Sequence, residues 1–178
     1  SSCVTIPGFD YQRLPEWARR PCLAQIREAT KQASGAKPLF IAANWEWQLR
    51  SSDFQHALAA FLAQRSQENK TTYLLEQIPL LKKNAPRTQR FQALGLAPGN
   101  EINPSYQLAN QKLESYTVRT AEIVHTDLKS EIVRAQKNGA AEQALYMDEQ
   151  HLNEIGAIRY AAIAKASFKL LIDRQTWQ

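Results

Sequence analysis

The chain has 178 residues, a formal net charge of +5 and 44% hydrophobic residues, which together predict one globular domain. Its charged fraction of 22% is close to the globular average, so a disordered or collagen-like chain is excluded. No apolar run approaches the ~20 residues that a membrane helix needs. The positive charge permits anionic partners, but no zinc-finger spacing, RNP aromatics or Gly-rich phosphate loop points to nucleic acid. We therefore predict no nucleic-acid partner and interpret the small basic groups as a solvated face: Lys82, Lys83, Arg87 and Arg90.

Five short apolar runs along the chain predict strands, at residues 3–6, 37–43, 71–77, 121–125 and 144–147. The runs lack a clean alternation of apolar and polar residues. This is typical of strands that are buried on both faces of a parallel sheet.

Helical patterns lie between these runs, at residues 21–34, 52–64, 106–119, 128–137 and 152–174. The first has Pro21 in its opening turn, and the second begins with a capping box from Ser52 to Gln55. The last helix carries one apolar stripe, formed by Leu152, Ile155, Ile158, Ala162 and Ala166. Strands that alternate with helices predict an α/β fold with a parallel sheet and helices on both faces. The irregular residues 84–103 are either a functional loop or a plain surface connection.

Ligands of such folds bind beyond the carboxyl ends of the strands, where Asp148 and His151 lead directly into the last predicted helix. A carboxylate can hold one imidazole nitrogen while the other nitrogen takes a proton from a nucleophile. The positive end of the helix dipole would keep His151 neutral near pH 7. The alternative is that Asp148 only caps the helix and His151 is a surface residue of its first turn.

The other two histidines give weaker signals. His56 lies inside an amphipathic helix, as a surface or boundary residue. His125 ends a strand, and with Asp127 and Asp148 it could in principle ligate a metal. That spacing fits no dedicated site, so we predict no metal.

The two cysteines, Cys3 and Cys22, leave two interpretations open. They are buried thiols in a reducing compartment, or they close a loop in an oxidising one, which would add about 3 kcal/mol of stability. The chain begins without Met and shows no signal peptide. We therefore expect a mature product or a piece of a longer protein.

The segment LYMDEQHLNEIGAIRYA, at residues 145–161, resembles the last conserved block of SGNH hydrolases, in which Asp-x-x-His-Leu precedes a Gly-containing helix. More narrowly, it resembles the SGNH domain fused to the C-terminal side of membrane-bound bacterial O-acyltransferases. The segment SSCVTIPG resembles that group's Ser-Ser-Cys-x-x-x-x-Gly motif, and PLFIAANWEW and YLLEQIP resemble two of its strands. The segments follow the family's order over most of the chain.

This resemblance implies a flavodoxin-like three-layer α/β/α sandwich with a mostly parallel sheet, and Asp148 and His151 as catalytic residues. It implies a disulfide between Cys3 and Cys22 and a location at the periplasmic face of the bacterial inner membrane. The implied reaction moves an acyl group, such as acetyl, onto a surface polysaccharide such as the O-antigen of lipopolysaccharide. An integral-membrane acyltransferase domain of the same parent protein would supply the acyl donor, with no cofactor in this domain.

The chain departs from the family pattern in two places. The family's nucleophile lies in a Gly-Asp-Ser block after its first strand, and this triplet is missing here. By family order it would precede Ser1, so we expect the parent protein to carry the nucleophile and that strand upstream. The Asn block lacks its Gly, which leaves Asn44 and the backbone N–H of Gly8 as candidate oxyanion donors. Trp45 and Trp47 either stack on a sugar or pack in the core.

Two other functions stay open at this stage. A chain without a nucleophile could be a non-catalytic domain that binds or positions glycan for a membrane acyltransferase. A flavodoxin-like module that binds a nucleotide or metal would need a phosphate loop at the start of a helix, and the sequence contains none.

Overall fold

The computed structural model describes residues 3–9, 11–35, 37–96, 100–130, 132 and 145–175. The chain divides into two compact units. The first consists of Ser1–Leu75 and Gln111–Ile123, and the second consists of Glu76–Asn110 and Val124–Gln178. The single-domain organisation expected from the length stays a prediction. Within the described ranges, none of the helices combines the length and the apolar character needed to cross a bilayer.

Helices and strands are interspersed along the described chain. The helices are α1 (Glu16–Ala33), α2 (Trp45–Gln48), α3 (Ser52–Gln67), α4 (Ala85–Ala93), α5 (Ser105–Glu114) and α6 (Glu154–Gln175), with a 3-10 turn at Tyr11–Arg13. The strands are β1 (Leu39–Ile41), β2 (Thr72–Leu75), β3 (Leu80–Leu81), β4 (Ile102–Asn103) and β5 (Ala121–Val124). A further helical stretch covers residues 128–130 and 132, and the rest of the helix predicted at 128–137 lies outside the described residues.

The main sheet has three strands in the order β1–β2–β5. Strands β1 and β2 run parallel, with Leu39 opposite Thr72. On the other side of β2, the amide of Thr72 donates to the carbonyl of Thr120 at 2.7 Å. Three of the five predicted strands are therefore present. The mostly parallel sheet with flanking helices confirms the predicted α/β class and agrees with the expected α/β/α fold.

Two of the predicted strands are wrong. Residues 3–6 adopt no strand, and of residues 145–147, the described part of the last run, only Tyr146 takes part in β pairing, as an isolated bridge to Leu152. The stretch at residues 84–103, which carries the pattern of a loop, contains helix α4. This helix lies between β3 and β4, which pair antiparallel with each other. Each of these strands has only two residues, which is too short for a periodic pattern.

Helix α6 turns a different face inward from the one that its apolar stripe suggests. Ile155 and Ile158 on that stripe are 57% and 63% exposed, whereas Ala164 is buried and Tyr160 packs on the core of the second unit. The reason is Gly156. A Cβ at this position would overlap the carbonyl oxygen of Leu145, so the helix meets the preceding chain on the glycine side.

Candidate active site

A tight loop between Tyr146 and Leu152 presents the predicted catalytic residues. Its two ends are joined by hydrogen bonds from the amide of Met147 to the carbonyl of His151, at 2.8 Å, and from the amide of Asn153 to the carbonyl of Leu145, at 3.0 Å. These two bonds close the loop around residues 148–150 and fix its backbone.

The same loop is anchored to the core of the second unit. Tyr146 is 1% exposed, and its hydroxyl donates to the carbonyl of Pro79 at 2.6 Å. The amide of Leu81 in β3 donates to the carbonyl of Glu149 at 2.9 Å. The antiparallel strand pair that the sequence does not reveal therefore supports this loop. A backbone held at both ends and at its tip keeps the side chains of the loop in a defined orientation.

The carboxylate of Asp148 and the imidazole of His151 form a close pair within the loop. Oδ2 of Asp148 lies 2.7 Å from Nδ1 of His151. The other oxygen, Oδ1, accepts hydrogen bonds at 2.7 Å from the backbone amides of Gln150 and His151. Since an ionised carboxylate only accepts, Nδ1 carries the proton, and Nε2 of the neutral ring is then the basic nitrogen.

Asp148 does not cap helix α6, so that part of the alternative interpretation is wrong, whereas His151 is a surface residue, as the alternative also had it. The cap is Asn153, whose Oδ1 accepts from the amide of Gly156 at 2.9 Å. The helix begins at Glu154, three residues after His151. His151 therefore lies before the first helical turn and not directly at the start of the helix, where the sequence pattern placed it.

The environment keeps Asp148 in its charged form. Partial burial works to raise the pKa of its carboxyl group, but the hydrogen bonds from the ring of His151 and from the two backbone amides outweigh this, so the pKa lies below its ordinary value. The side chain of His151 is 67% exposed and that of Asp148 is 31% exposed. The pair therefore combines a fixed anion with an accessible imidazole.

Three of the other predicted site residues lie in and beside α2 of the first unit. Asn44 is the N-cap of α2, and its Oδ1 accepts from the amide of Trp47 at 3.2 Å. Trp45 is fully buried, and its indole N–H donates to the carbonyl of Leu75 at 2.6 Å. Of the two interpretations of Trp45, its burial supports core packing, since no ring face is open to a sugar. Trp47 is 62% exposed, and the Arg50 guanidinium lies 5.3 Å from its ring centre.

Gly8 lies in a turn whose conformation follows from the residues of the turn itself. Its φ is +82°, Pro7 precedes it, and the amide of Phe9 donates to the carbonyl of Ile6 at 3.3 Å. A Pro followed by a Gly of positive φ is the pattern of a type II turn, so the conformation of Gly8 requires no ligand. The oxyanion roles of Gly8 and Asn44 stay predictions.

The structure contains the disulfide that the resemblance implied. Cys3 and Cys22 are bonded, and they close a loop with a sequence separation of 19 between the N-terminal segment and α1.

A second pair of imidazole and carboxylate, missed by the sequence analysis, lies in the second unit. Nδ1 of His125 is 3.3 Å from Oε2 of Glu76, and the hydroxyl of Thr126 donates to Oε1 of Glu76 at 2.9 Å. Glu76 follows β2 directly and His125 follows β5, and these strands are neighbours in the sheet. The sequence does place Glu76 near the end of an apolar run. The strand was predicted to extend to residue 77, however, so Glu76 was not recognised as a residue beyond the end of a strand.

The sequence offers His125, Asp127 and Asp148 as possible metal ligands. No three His, Cys, Asp or Glu side chains come close enough to hold an ion among the residues that the structure describes. His56 is an exposed residue of α3.

An oriented pair of aspartate and histidine in an α/β fold is typical of hydrolases and acyltransferases that use a Ser–His–Asp triad. Comparison with known families agrees with this class. The family model described as "SGNH domain (fused to AT3 domains)" matches residues 1–166, and the chain belongs to this family. By that description, its members are joined to acyltransferase domains, which links the chain to acyl transfer. Neither the curated proteins nor the solved structures gave a match.

Proposed function

We propose that this chain is the acid–base part of an O-acyltransferase that moves an acetyl group onto a bacterial surface polysaccharide at the periplasmic face of the inner membrane. The observation that carries the proposal is the 2.7 Å contact between Asp148 Oδ2 and His151 Nδ1 in an anchored, exposed loop. Family membership supports the class of reaction, because the family is described by its fusion to AT3 domains. The disulfide supports an oxidising compartment.

In the proposed reaction, a serine upstream of Ser1 attacks the acyl carbonyl. Nε2 of His151 takes the serine proton, and Asp148 holds Nδ1 and stabilises the imidazolium that forms. The donor's leaving group departs with the proton from His151. A sugar hydroxyl then attacks the acyl-enzyme, with His151 taking its proton and returning it to the serine. Water in place of the sugar would give esterase activity.

The test uses the parent protein with its upstream segment. Its sequence before Ser1 should contain a Gly-Asp-Ser triplet. The variant His151→Ala should lower the rate of acyl transfer, and of p-nitrophenyl acetate hydrolysis, by at least about 10⁴-fold, since loss of a triad aspartate costs about 10⁴-fold and loss of the histidine about 10⁶-fold. Because the imidazole is largely exposed, circular dichroism and the melting temperature should stay close to wild type.

The matched control is His56→Ala, which removes an exposed imidazole from α3. It should retain wild-type turnover. If His151→Ala also keeps turnover within about tenfold, its ring is not the base. In that case the non-catalytic function in glycan positioning becomes the better explanation.

A further inference from the structure

A surface on the second unit combines positive charge with exposed apolar side chains. Between Lys82 and Asn100 the sequence has four cations and no Asp or Glu. Glu101 follows and pairs with Lys82 at 2.5 Å, which leaves an excess of positive charge. We call this the basic–apolar surface, and it consists of Lys82, Lys83, Arg87, Arg90, Phe91, Leu94 and Leu96.

Helix α4 faces the core with one side and carries part of the basic–apolar surface on the other. Ala85 and Thr88 point inward and are 0% and 4% exposed. Arg87, Arg90 and Leu94 lie on the opposite, exposed side, at spacings of three and four residues. Cations and an apolar side chain therefore share one outward face of the helix.

The end of α4 holds the apolar residues of this surface in place. Gly95 has a φ of +68° and donates its amide to the carbonyl of Gln92 at 2.9 Å, while the amide of Leu96 donates to the carbonyl of Phe91 at 2.8 Å. This is the hydrogen-bond pattern of a Schellman motif, which brings the side chains at the positions of Phe91 and Leu96 toward each other. Leu94 and Leu96 are nevertheless 70% and 68% exposed.

We propose that the basic–apolar surface binds a bilayer that contains anionic lipids. Cations beside exposed Phe and Leu side chains are typical of helices that lie at a membrane interface, where the cations meet headgroups and the apolar groups enter the acyl boundary. Charge complementarity favours anionic lipid over zwitterionic lipid. An anionic polysaccharide would satisfy the cations but would leave Leu94 and Leu96 without a role. The inference does not depend on the proposed acyl transfer.

Sedimentation of the 178-residue chain with lipid vesicles tests this proposal. Vesicles of phosphatidylglycerol and phosphatidylethanolamine should bind the chain, and vesicles of phosphatidylcholine should bind it weakly. Binding to the anionic vesicles should fall as salt is raised. Since each cation near an anionic surface contributes about fivefold, the variant K83Q/R87Q/R90Q should bind about hundredfold more weakly. The variant L94S/L96S keeps every charge and should bind at least about tenfold more weakly.

The control variant K129Q/K165Q/K169Q removes three exposed lysines elsewhere in the second unit. It should keep most of the binding, and all variants should melt near the wild-type temperature. Equal losses in the control and in K83Q/R87Q/R90Q would overturn the proposal, because net charge alone would then explain binding. Failure to bind anionic vesicles would also overturn it. The proposal would also be overturned if a soluble anionic polysaccharide bound the chain as tightly as the vesicles do and bound the variant L94S/L96S equally tightly.

Discussion

Replacing Gly156 by Ala should destabilise the loop that presents Asp148 and His151. The new Cβ would overlap the carbonyl oxygen of Leu145, and it would lie 3.0 Å from the carbonyl carbon of Leu145 and 3.1 Å from Cβ of Leu152. Ordinary contacts between carbon atoms begin near ~3.5 Å, so either the helix or the loop must move. The atom it meets belongs to the backbone, which cannot turn away as a side chain can.

The expected cost follows from two opposing effects. Overpacking a filled core costs up to about 3 kcal/mol. Alanine regains about 1 kcal/mol over glycine within a helix. The net loss of unfolding free energy is therefore about 2 kcal/mol. With a urea dependence of about 2 kcal/mol per molar, the unfolding midpoint should fall by about 1 M.

Urea unfolding followed by circular dichroism measures this loss. The control is Gly35→Ala, since a Cβ at Gly35 meets only the carbonyl oxygen of Gln32, at the ordinary distance of 3.5 Å. That variant should unfold at or slightly above the wild-type midpoint. If Gly156→Ala unfolds at the same urea concentration as Gly35→Ala, the close approach of α6 to Leu145 is not needed for stability and our reasoning is refuted.

Two further predictions concern the disulfide and the aspartate. The double variant Cys3→Ser, Cys22→Ser should lose about 3 kcal/mol of unfolding free energy in urea, because the bond closes a loop with a sequence separation of 19, and an unchanged midpoint would contradict this. The pKa of Asp148 is lower in the folded chain than in the unfolded chain, so the charged carboxylate adds stability above about pH 4, and this stability is lost as the pH falls through the folded pKa. The advantage of wild type over Asp148→Asn in urea unfolding should therefore shrink between pH 6 and pH 3, and a constant difference would show that its ionisation is not coupled to folding.

The parts of the site that follow from local sequence could be predicted. Asp148 and His151 are three residues apart, so a single turn brings their side chains together without any long-range contact. Strands β1, β2 and β5 lie within apolar runs whose residue types favour buried parallel strands.

Helix boundaries were less predictable, because the surrounding structure decides which side chain caps a helix and where a proline is tolerated within it. Helix α1 begins at Glu16, and Pro21 lies inside it rather than in its first turn. The hydrogen bond that Pro21 cannot donate would go to the carbonyl of Trp17, a residue that is 81% exposed, so water can bond that carbonyl instead. The side chain that caps α3 belongs to Ser51, one residue before the predicted cap.

Features that depend on distant residues could not be predicted. Glu76 and His125 are 49 positions apart, and they meet only because β2 and β5 are neighbours in the sheet. Which side of α6 is buried could not be predicted for a related reason. Apolar residues occur on two of its sides, so the pattern does not decide which side is buried. The close approach at Gly156 decides it, and this requires knowing where Leu145 lies.

The geometry of the Asp148–His151 pair depends on residues within the second unit alone. The backbone amides of Gln150 and His151 fix one oxygen of Asp148, which directs the other toward the imidazole. The loop that carries both residues is in turn fixed by Tyr146 and by Leu81 of β3. The pair is therefore oriented before a nucleophile or an acyl group arrives, and its arrangement costs no reorganisation at the moment of proton transfer. A single displacement of the loop would misplace both residues together, which is why the close packing at Gly156, far from the imidazole itself, matters for the proposed chemistry.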